Sequence, residues 1–335
     1  MEVIVGSAHA LFPLDHATRV GEARRHAAEL ADQARLDEVD AGRLALVVTE
    51  LGTNLLRHAT QGRLLLAARA AAREVEVIAI DSGPGIADVP RSMGDGYSTG
   101  GTPGTGLGAV RRLADDFELH TSVPQGTAIV ARVRGDRRAR VDHPSGFRVA
   151  GIAVPAPGER VCGDAWAAVL HEDNATFLVA DGLGHGPDAA AAAQEAVTTL
   201  QAHPALSPAR LLEEMHARLR STRGAAVSIY SAGPDDTVRC AAAGNVLARL
   251  VSGVSDRALV GQHGTVGVQI RTPQEASVPW PPHAMLLIHS DGVESRWQPG
   301  LITPVLGRDP SLAAALLLRD HTRGRDDATV VVVGR

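Results

Sequence analysis

Two sets of residues in this chain could do chemistry, and they lie in different halves. The first surrounds the run from Asp81 to Gly108, DSGPGIADVPRSMGDGYSTGGTPGTGLG. Its glycines let backbone N–H groups approach an anion, and a helix beginning where the loop ends favours negative charge there. A nucleotide phosphate suits that chemistry, although a glycine-rich loop alone is weak evidence. Upstream, ELGTNLLRH spaces Glu50, Asn54 and His58 at i, i+4 and i+8, on one face of a helix. The second set is acidic: Asp164 in CGD, Asp181 in ADGLGHG, Asp291 in HSDG and Asp326 in GRDDAT. Carboxylates gathered at strand ends repel one another, and hard divalent cations such as Mg²⁺ or Mn²⁺ resolve that repulsion. A single Asp-Gly is commonly just a turn. Four acidic positions in order, with no CxxC or HExxH competing, point to a metal centre.

These residues need elements to hold them. VEVIAI, 75–80, reads as a buried strand feeding Asp81, and AVRRLADDF after Gly108 reads as a helix within 105–116. Helical spacing also covers 17–34 and about 38–59, and strands are expected at 63–70, 117–121 and 126–133. The pattern then changes. Short strands are expected at 147–155, 166–172, 176–181, 225–231, 237–243, 284–290 and 328–334. Helices fit 187–203, 207–221 and 311–321. The polar, proline-containing stretch 135–146 reads as a linker, dividing the chain into domains at 1–134 and 147–335.

The totals exclude several classes. A length of 335 residues, 44% hydrophobic and 21% charged, suits two globular domains. A net charge of -5 gives no global basic field for nucleic acid or an anionic membrane. Two cysteines, Cys162 and Cys240, are too few for a disulfide framework, and no secretory signal or membrane span is evident, so a cytoplasmic location is expected. All 33 basic residues are arginine. The absence of lysine rules out a P-loop NTPase, an ordinary eukaryotic-type protein kinase and Schiff-base chemistry.

In the first half, E-x-x-x-N, DSGPG and GTPGTGLG in this order resemble the GHKL (Bergerat-type) fold of histidine kinases, the DNA gyrase ATPase and heat-shock chaperones. The likeness covers about 8–134. DGYSTGGTPGTGLGAVRRLADDFE is particularly similar to the anti-sigma-factor and stressosome switch serine kinases of the RsbT type. The resemblance implies an α/β sandwich that binds ATP with Mg²⁺. In it Asn54 coordinates the Mg²⁺, and Asp81 accepts a hydrogen bond from the adenine amino group. Gly83 and Gly85 let the backbone pass under the base, Gly104, Gly106 and Gly108 wrap the phosphates, and Thr127 supports the adenine pocket. Glu50 is then the general base for a serine hydroxyl. His58 reads as a helix-end residue, and no phosphoacceptor hairpin of a histidine kinase is visible.

In the second half, GD, DGLGHG, SDG and RDDAT resemble the PP2C superfamily of metal-dependent phosphatases in its SpoIIE-type branch, over about 147–335. ADGLGHG is similar to the stressosome feedback phosphatase of the RsbX type. The resemblance implies an αββα sandwich holding two Mn²⁺ or Mg²⁺ ions, which hydrolyses phosphoserine without a covalent enzyme intermediate. Asp181 would bridge the ions as the central catalytic ligand, with the Gly182 carbonyl on one ion and Asp291 and Asp326 on the other. Asp164 would act mainly through bound water, and Asp327 stands where many relatives have Asn. Leu183 occupies a place that is His in other branches. His185 is either a general acid or a turn residue, and Arg160 is a candidate phosphate contact. Cys162 reads as packing, and Asn245 in AAGNVLARL is assigned no chemistry.

The expectation is an α+β chain of two domains, a serine kinase and an opposing serine phosphatase. By family analogy both act on a STAS-domain antagonist in a bacterial partner-switching system. A sigma factor or a downstream phosphatase are further candidate partners, and pairing into a homodimer is open. The alternative is an ATP-dependent module that holds a sigma factor or STAS protein without transferring phosphate, fused to an active or regulatory phosphatase domain.

Overall fold

The computed structural model describes residues 1–94, 106–136 and 146–335. They fall into two units, His9–Val141, and Met1–Ala8 together with Asp142–Arg335. Among the described residues no helix is long and apolar enough to cross a membrane.

β1 (Glu2–Val5) opens the chain. The unit after it contains β2 (Ala10–Pro13), α1 (Ala17–Gln33), α2 (Glu38–His58), β3 (Arg63–Arg69), β4 (Glu74–Asp81), α3 (Val89–Ser92), α4 (Leu107–Leu113), β5 (Asp116–Ser122) and β6 (Gly126–Arg134). Its antiparallel sheet has the order β2-β3-β4-β6-β5, with α1, α2 and α4 packed against it. α2 is well specified by its ends. Asp37 caps it by accepting from the Asp40 N–H at 2.8 Å. Glu38 and Asp40 in the first turn, and Arg57 and His58 in the last, match the helix dipole. Leu44, Val47, Val48, Leu51 and Leu55 bury one face, which leaves Glu50 and Asn54 half-buried beside it. Arg43 fastens the start of α2 to the end of α4, donating to the Leu113 carbonyl and to Asp115, both at 2.9 Å.

The other unit contains β7 (Arg148–Val154), β8 (Asp164–Leu170), β9 (Ala175–Gly182), α5 (Pro187–Ala202), α6 (Pro208–Arg218), β10 (Ala225–Ala232), β11 (Thr237–Ala243), β12 (Leu247–Val251), β13 (Asp256–Leu259), β14 (Gly264–Thr265), β15 (Gln269–Ile270), β16 (Ala276–Pro279), β17 (Met285–His289), α7 (Pro310–His321) and β18 (Ala328–Gly334). One sheet has the order β1-β8-β9-β10-β11-β16 and the other β13-β12-β17-β18-β7, while β14 and β15 pair as a small ribbon. Phe177, Val179, Tyr230, Leu286, Ile288 and Val331 fill the space between the sheets. α5 and α6 cover the outer face of the first sheet, and α7 packs on β7 and β18 of the second. The layers are those of an αββα sandwich.

Two differences from the sequence reading matter. β8 begins at Asp164, two residues before the expected strand, which puts Asp164 in the ladder opposite Asp181. The chain start also moves. The reading places residues 1–8 in the first domain, but β1 pairs with β8 from Glu2↔Leu170 to Val5↔Ala167, and Ala8 bridges to Ala153 of β7. The reason is edge pairing: β8 would otherwise present a row of unpaired backbone groups, and β1 satisfies them. Four residues, EVIV, are too few to announce this in sequence. Of the expected linker, residues 137–145 lie outside the described residues.

Trp166 wedges into this corner. A Cβ added at Gly6 would lie 2.1 Å from its ring, and one at Gly151 would lie 2.3 Å away. All three tryptophans, Trp166, Trp280 and Trp297, belong to this unit, so tryptophan fluorescence reports its unfolding alone. Gly151→Ala should lower its unfolding free energy in urea by roughly 1–3 kcal/mol through overpacking. An unchanged midpoint would show that the corner yields without cost.

Candidate active sites

In the unit that starts at His9, a cavity of about 720 Å³ opens beside α2. Glu50, Asn54, Asp81, Gly85, Gly106 and Thr127 all line it, with Arg57 and His58 from the end of the helix. Asp81 closes β4 opposite Thr127 of β6 and is buried. Its Oδ1 accepts from the Gly83 N–H at 2.7 Å. Gly85 has a φ of +74°, and a Cβ there would lie 2.7 Å from the Ser122 carbonyl oxygen, so only glycine fits. The Ile86 N–H donates to Thr121 Oγ1 at 2.8 Å, and that hydroxyl lies 3.1 Å from Thr127 Oγ1. The loop after Asp81 is thereby pinned to the β5–β6 hairpin. Burial pushes the Glu50 carboxyl above its ordinary pKa, and the Arg57 charge opposes that shift.

Two of the expected phosphate-loop glycines behave differently. Gly106 precedes α4 and lines the cavity. Gly108 does not line it. A Cβ there would lie 2.6 Å from the Met93 carbonyl oxygen, so its small size serves close packing of α4. Gly104 lies outside the described residues. His58 is exposed at the end of α2, as a helix-end residue is.

In the sandwich, the acidic residues meet at one end of the two sheets. Asp164 and Asp181 face each other across the β8–β9 ladder. Burial, then the charges of Asp164, Asp291, Asp326 and Asp327, push the Asp181 carboxyl up to about 9. Burial raises Asp164 to about 7, with the Asp327 and Asp291 charges adding to the shift and the hydrogen bond from Ser290 opposing it. Burial also raises Asp327. Glycines bring these strand ends together. A Cβ on Gly182 would lie 2.0 Å from the Ala189 carbonyl oxygen, and one on Gly292 would lie 1.9 Å from that of Asp327.

Among the described residues no three His, Cys, Asp or Glu side chains already stand as a closed metal-binding group. The donor chemistry nevertheless fits hard divalent ions. Asp164 Oδ1 and Asp327 Oδ2 are buried without a hydrogen-bond partner, a costly state for a carboxylate oxygen that a cation would relieve. Asp327 turns inward, its Oδ1 accepting from the Ala156 N–H at 2.8 Å, whereas Asp326 Oδ1 accepts from the Asp327 N–H at 2.9 Å.

Residues 12–133 match the family of histidine kinase-like ATPase domains, and residues 171–335 match the stage II sporulation protein E (SpoIIE) family. The chain is 35% identical over 111 residues to the serine/threonine-protein kinase RsbT of Bacillus subtilis, covering 84% of that protein and 32% of this one. This chain belongs to the RsbT-like serine/threonine kinase family, with a domain of the SpoIIE family joined to it. Among solved structures, one described as the bacterial stressosome, a modular system adapted to control secondary messenger signalling, matches with a TM-score of 0.53 at 25% identity. That match covers 56% of this chain and 98% of the other. RsbX in complex with magnesium matches in fold, with a TM-score of 0.52 at 17% identity over 58% and 97% of the two chains.

Around the SpoIIE-type site the structure adds residues that sequence reasoning missed or left open. Asn245 Nδ2 donates to Asp291 Oδ2 at 2.6 Å, and Ser290 Oγ donates to Asp164 Oδ2 at 2.7 Å. His185 Nδ1 lies 2.7 Å from Glu159 Oε1, which ties the DGLGHG loop to the segment before Arg160. The Cys162 thiol is pushed up by burial and then by the Asp164 and Asp327 charges, which makes it a poor nucleophile and fits its reading as packing. In the RsbT-like domain Arg57 is the added residue, with no sequence signal beyond its place in the last turn of α2.

The raised carboxyls set a pH dependence. An unfolded aspartate ionises near ~4, but folded Asp181 holds its proton to about 9. Metal-free stability therefore falls as pH rises from about 4 toward 9, because the folded state binds more protons over that range. In EDTA, Asp181→Asn should stabilise the SpoIIE-type domain at pH 8 by on the order of a few kcal/mol, with the gain shrinking toward pH 5. Urea unfolding followed by tryptophan fluorescence checks this. Equal stabilities for variant and wild type at pH 8 would mean that Asp181 carries no such penalty.

Proposed function

We propose that the two domains run opposing reactions on protein serine. The RsbT-like domain transfers a phosphoryl group from ATP, and the SpoIIE-type domain hydrolyses the phosphoserine. The meeting of Asp181 with Asp164, Asp291 and Asp326, from separate stretches of chain, carries the phosphatase half of this reading. Its counterpart is the shared cavity of Glu50, Asn54 and Asp81.

In the kinase half, Asp81 selects adenine, and Gly83 and Gly85 let the loop lie against the base. Asn54 holds Mg²⁺, Gly104, Gly106 and Gly108 belong to the loop that follows the phosphates, and Thr127 braces Asp81. Glu50 takes the proton of the incoming serine hydroxyl. Its burial supports that role, since a carboxyl raised toward neutrality is a better base than a fully solvated one. In the phosphatase half, Asp181, the Gly182 carbonyl, Asp291 and Asp326 would hold two Mn²⁺ or Mg²⁺ ions, with Asp164 behind them. Divalent ions at such carboxylates supply Lewis acidity toward a phosphate ester and activate water.

The substrate we propose is a STAS-domain antagonist in a partner-switching system. The relationship to RsbT and the likeness to a stressosome structure support that choice. The test follows phosphate on such a protein by mass spectrometry, with ATP and Mg²⁺ for addition and Mn²⁺ for removal. Glu50→Ala should cut transfer roughly 10²–10⁴-fold while ATP binding persists. Asp181→Ala should leave phosphoserine intact with Mn²⁺ present. Full-rate transfer by Glu50→Ala would make the first domain an ATP-dependent binding module instead.

A further inference from the structure

The turn that joins the two sheets of the sandwich reaches into the acidic site. β11 belongs to one sheet and β12 to the other, so the chain changes sheets between Ala243 and Leu247. Gly244 permits the passage with a φ of +106°. A Cβ there would lie 2.4 Å from that of Ala226, the ladder partner of Asp181. The Gly244 N–H donates to the Gln262 carbonyl at 3.0 Å, and Ser228 Oγ donates to the Val246 carbonyl at 3.1 Å. The turn is therefore held from both sides of Asn245.

From this fixed turn, Asn245 Nδ2 donates to Asp291 Oδ2 at 2.6 Å. Asp291 follows β17 in one sheet, and Asp181 lies on β9 in the other. A second bond crosses between the sheets nearby. Ser290 Oγ, itself accepting from the Thr329 N–H at 3.0 Å, donates to Asp164 Oδ2 on β8 at 2.7 Å. An aspartate among like charges is driven to rotate away from them. A neutral amide donor on one carboxylate oxygen fixes its rotation without adding a charge that would compete with a cation. Partners behind the ligands of a metal act in this way and set its affinity.

We infer that Asn245 is a positioning residue for the phosphatase reaction, orienting Asp291 so that carboxylates from both sheets share one divalent cation. The inference rests on the phosphatase reading above. Asn245 itself is exposed, so its replacement need not disturb the core.

The experiment titrates the full chain with Mn²⁺ by calorimetry and measures dephosphorylation against Mn²⁺ concentration, for wild type and Asn245→Ala. The variant should bind Mn²⁺ roughly 10–100-fold more weakly. Its rate should return near the wild-type value at saturating Mn²⁺, with KM for the phosphoprotein and the urea midpoint in EDTA unchanged. Mn²⁺ binding within about twofold of wild type overturns the inference, as does a rate that stays low at saturating Mn²⁺. If the wild-type chain itself takes up no Mn²⁺, the phosphatase reading falls and this inference with it. Tight wild-type binding matched by the variant removes the inference alone.

Discussion

Negative charge crowded at one end of the sandwich is the constraint around which that unit is arranged. Burial and the charges of Asp164, Asp291, Asp326 and Asp327 raise Asp181 far above an ordinary aspartate. A fold that only needed turns at these strand ends would have no reason to gather carboxylates there. The neighbouring glycines serve the same crowding. Gly182 and Gly292 are small because another backbone passes within contact distance of each, at Ala189 and Asp327. The recurring Asp-Gly is thus two requirements in one dipeptide, an acidic side chain and a bare backbone that lets the next segment close in.

The RsbT-like domain solves the opposite problem. The walls of its cavity combine Gly85 and Gly106 with Asn54, Arg57 and the half-buried carboxyl of Glu50. α2 presents Glu50 and Asn54 one turn apart, and its position is set by Arg43 and by a fully buried apolar face. One unit gathers carboxylates at the end of its sheets, and the other opens a cavity beside α2.

Much of this was legible in sequence because the groups that do chemistry sit at the ends of strongly patterned elements. VEVIAI leads to Asp81 and TFLVAD to Asp181, and both runs form strands, the first ending at Asp81 and the second one residue past Asp181, at Gly182. The i, i+4 spacing of Glu50 and Asn54 placed them together on one helix, and the structure brings Asp81 into the same cavity. What escaped was set by pairing across the fold. β1 is too short to carry a period and is defined by the edge of β8. Asn245 stands where the β12–β17 pairing would continue past Leu247 and His289, so its bond to Asp291, 46 residues away in sequence, leaves no local pattern. Gly108 meets a second demand that its motif did not announce, because the Met93 carbonyl lies where a Cβ would stand.

The central claim is that Asp181 is where carboxylates from both sheets converge on divalent metal. Anomalous diffraction from crystals grown with Mn²⁺ tests it directly. The account predicts manganese peaks against the Asp181 carboxylate, shared with Asp291 and Asp326. Manganese absent from Asp181, or found only at unrelated surface carboxylates, would contradict it.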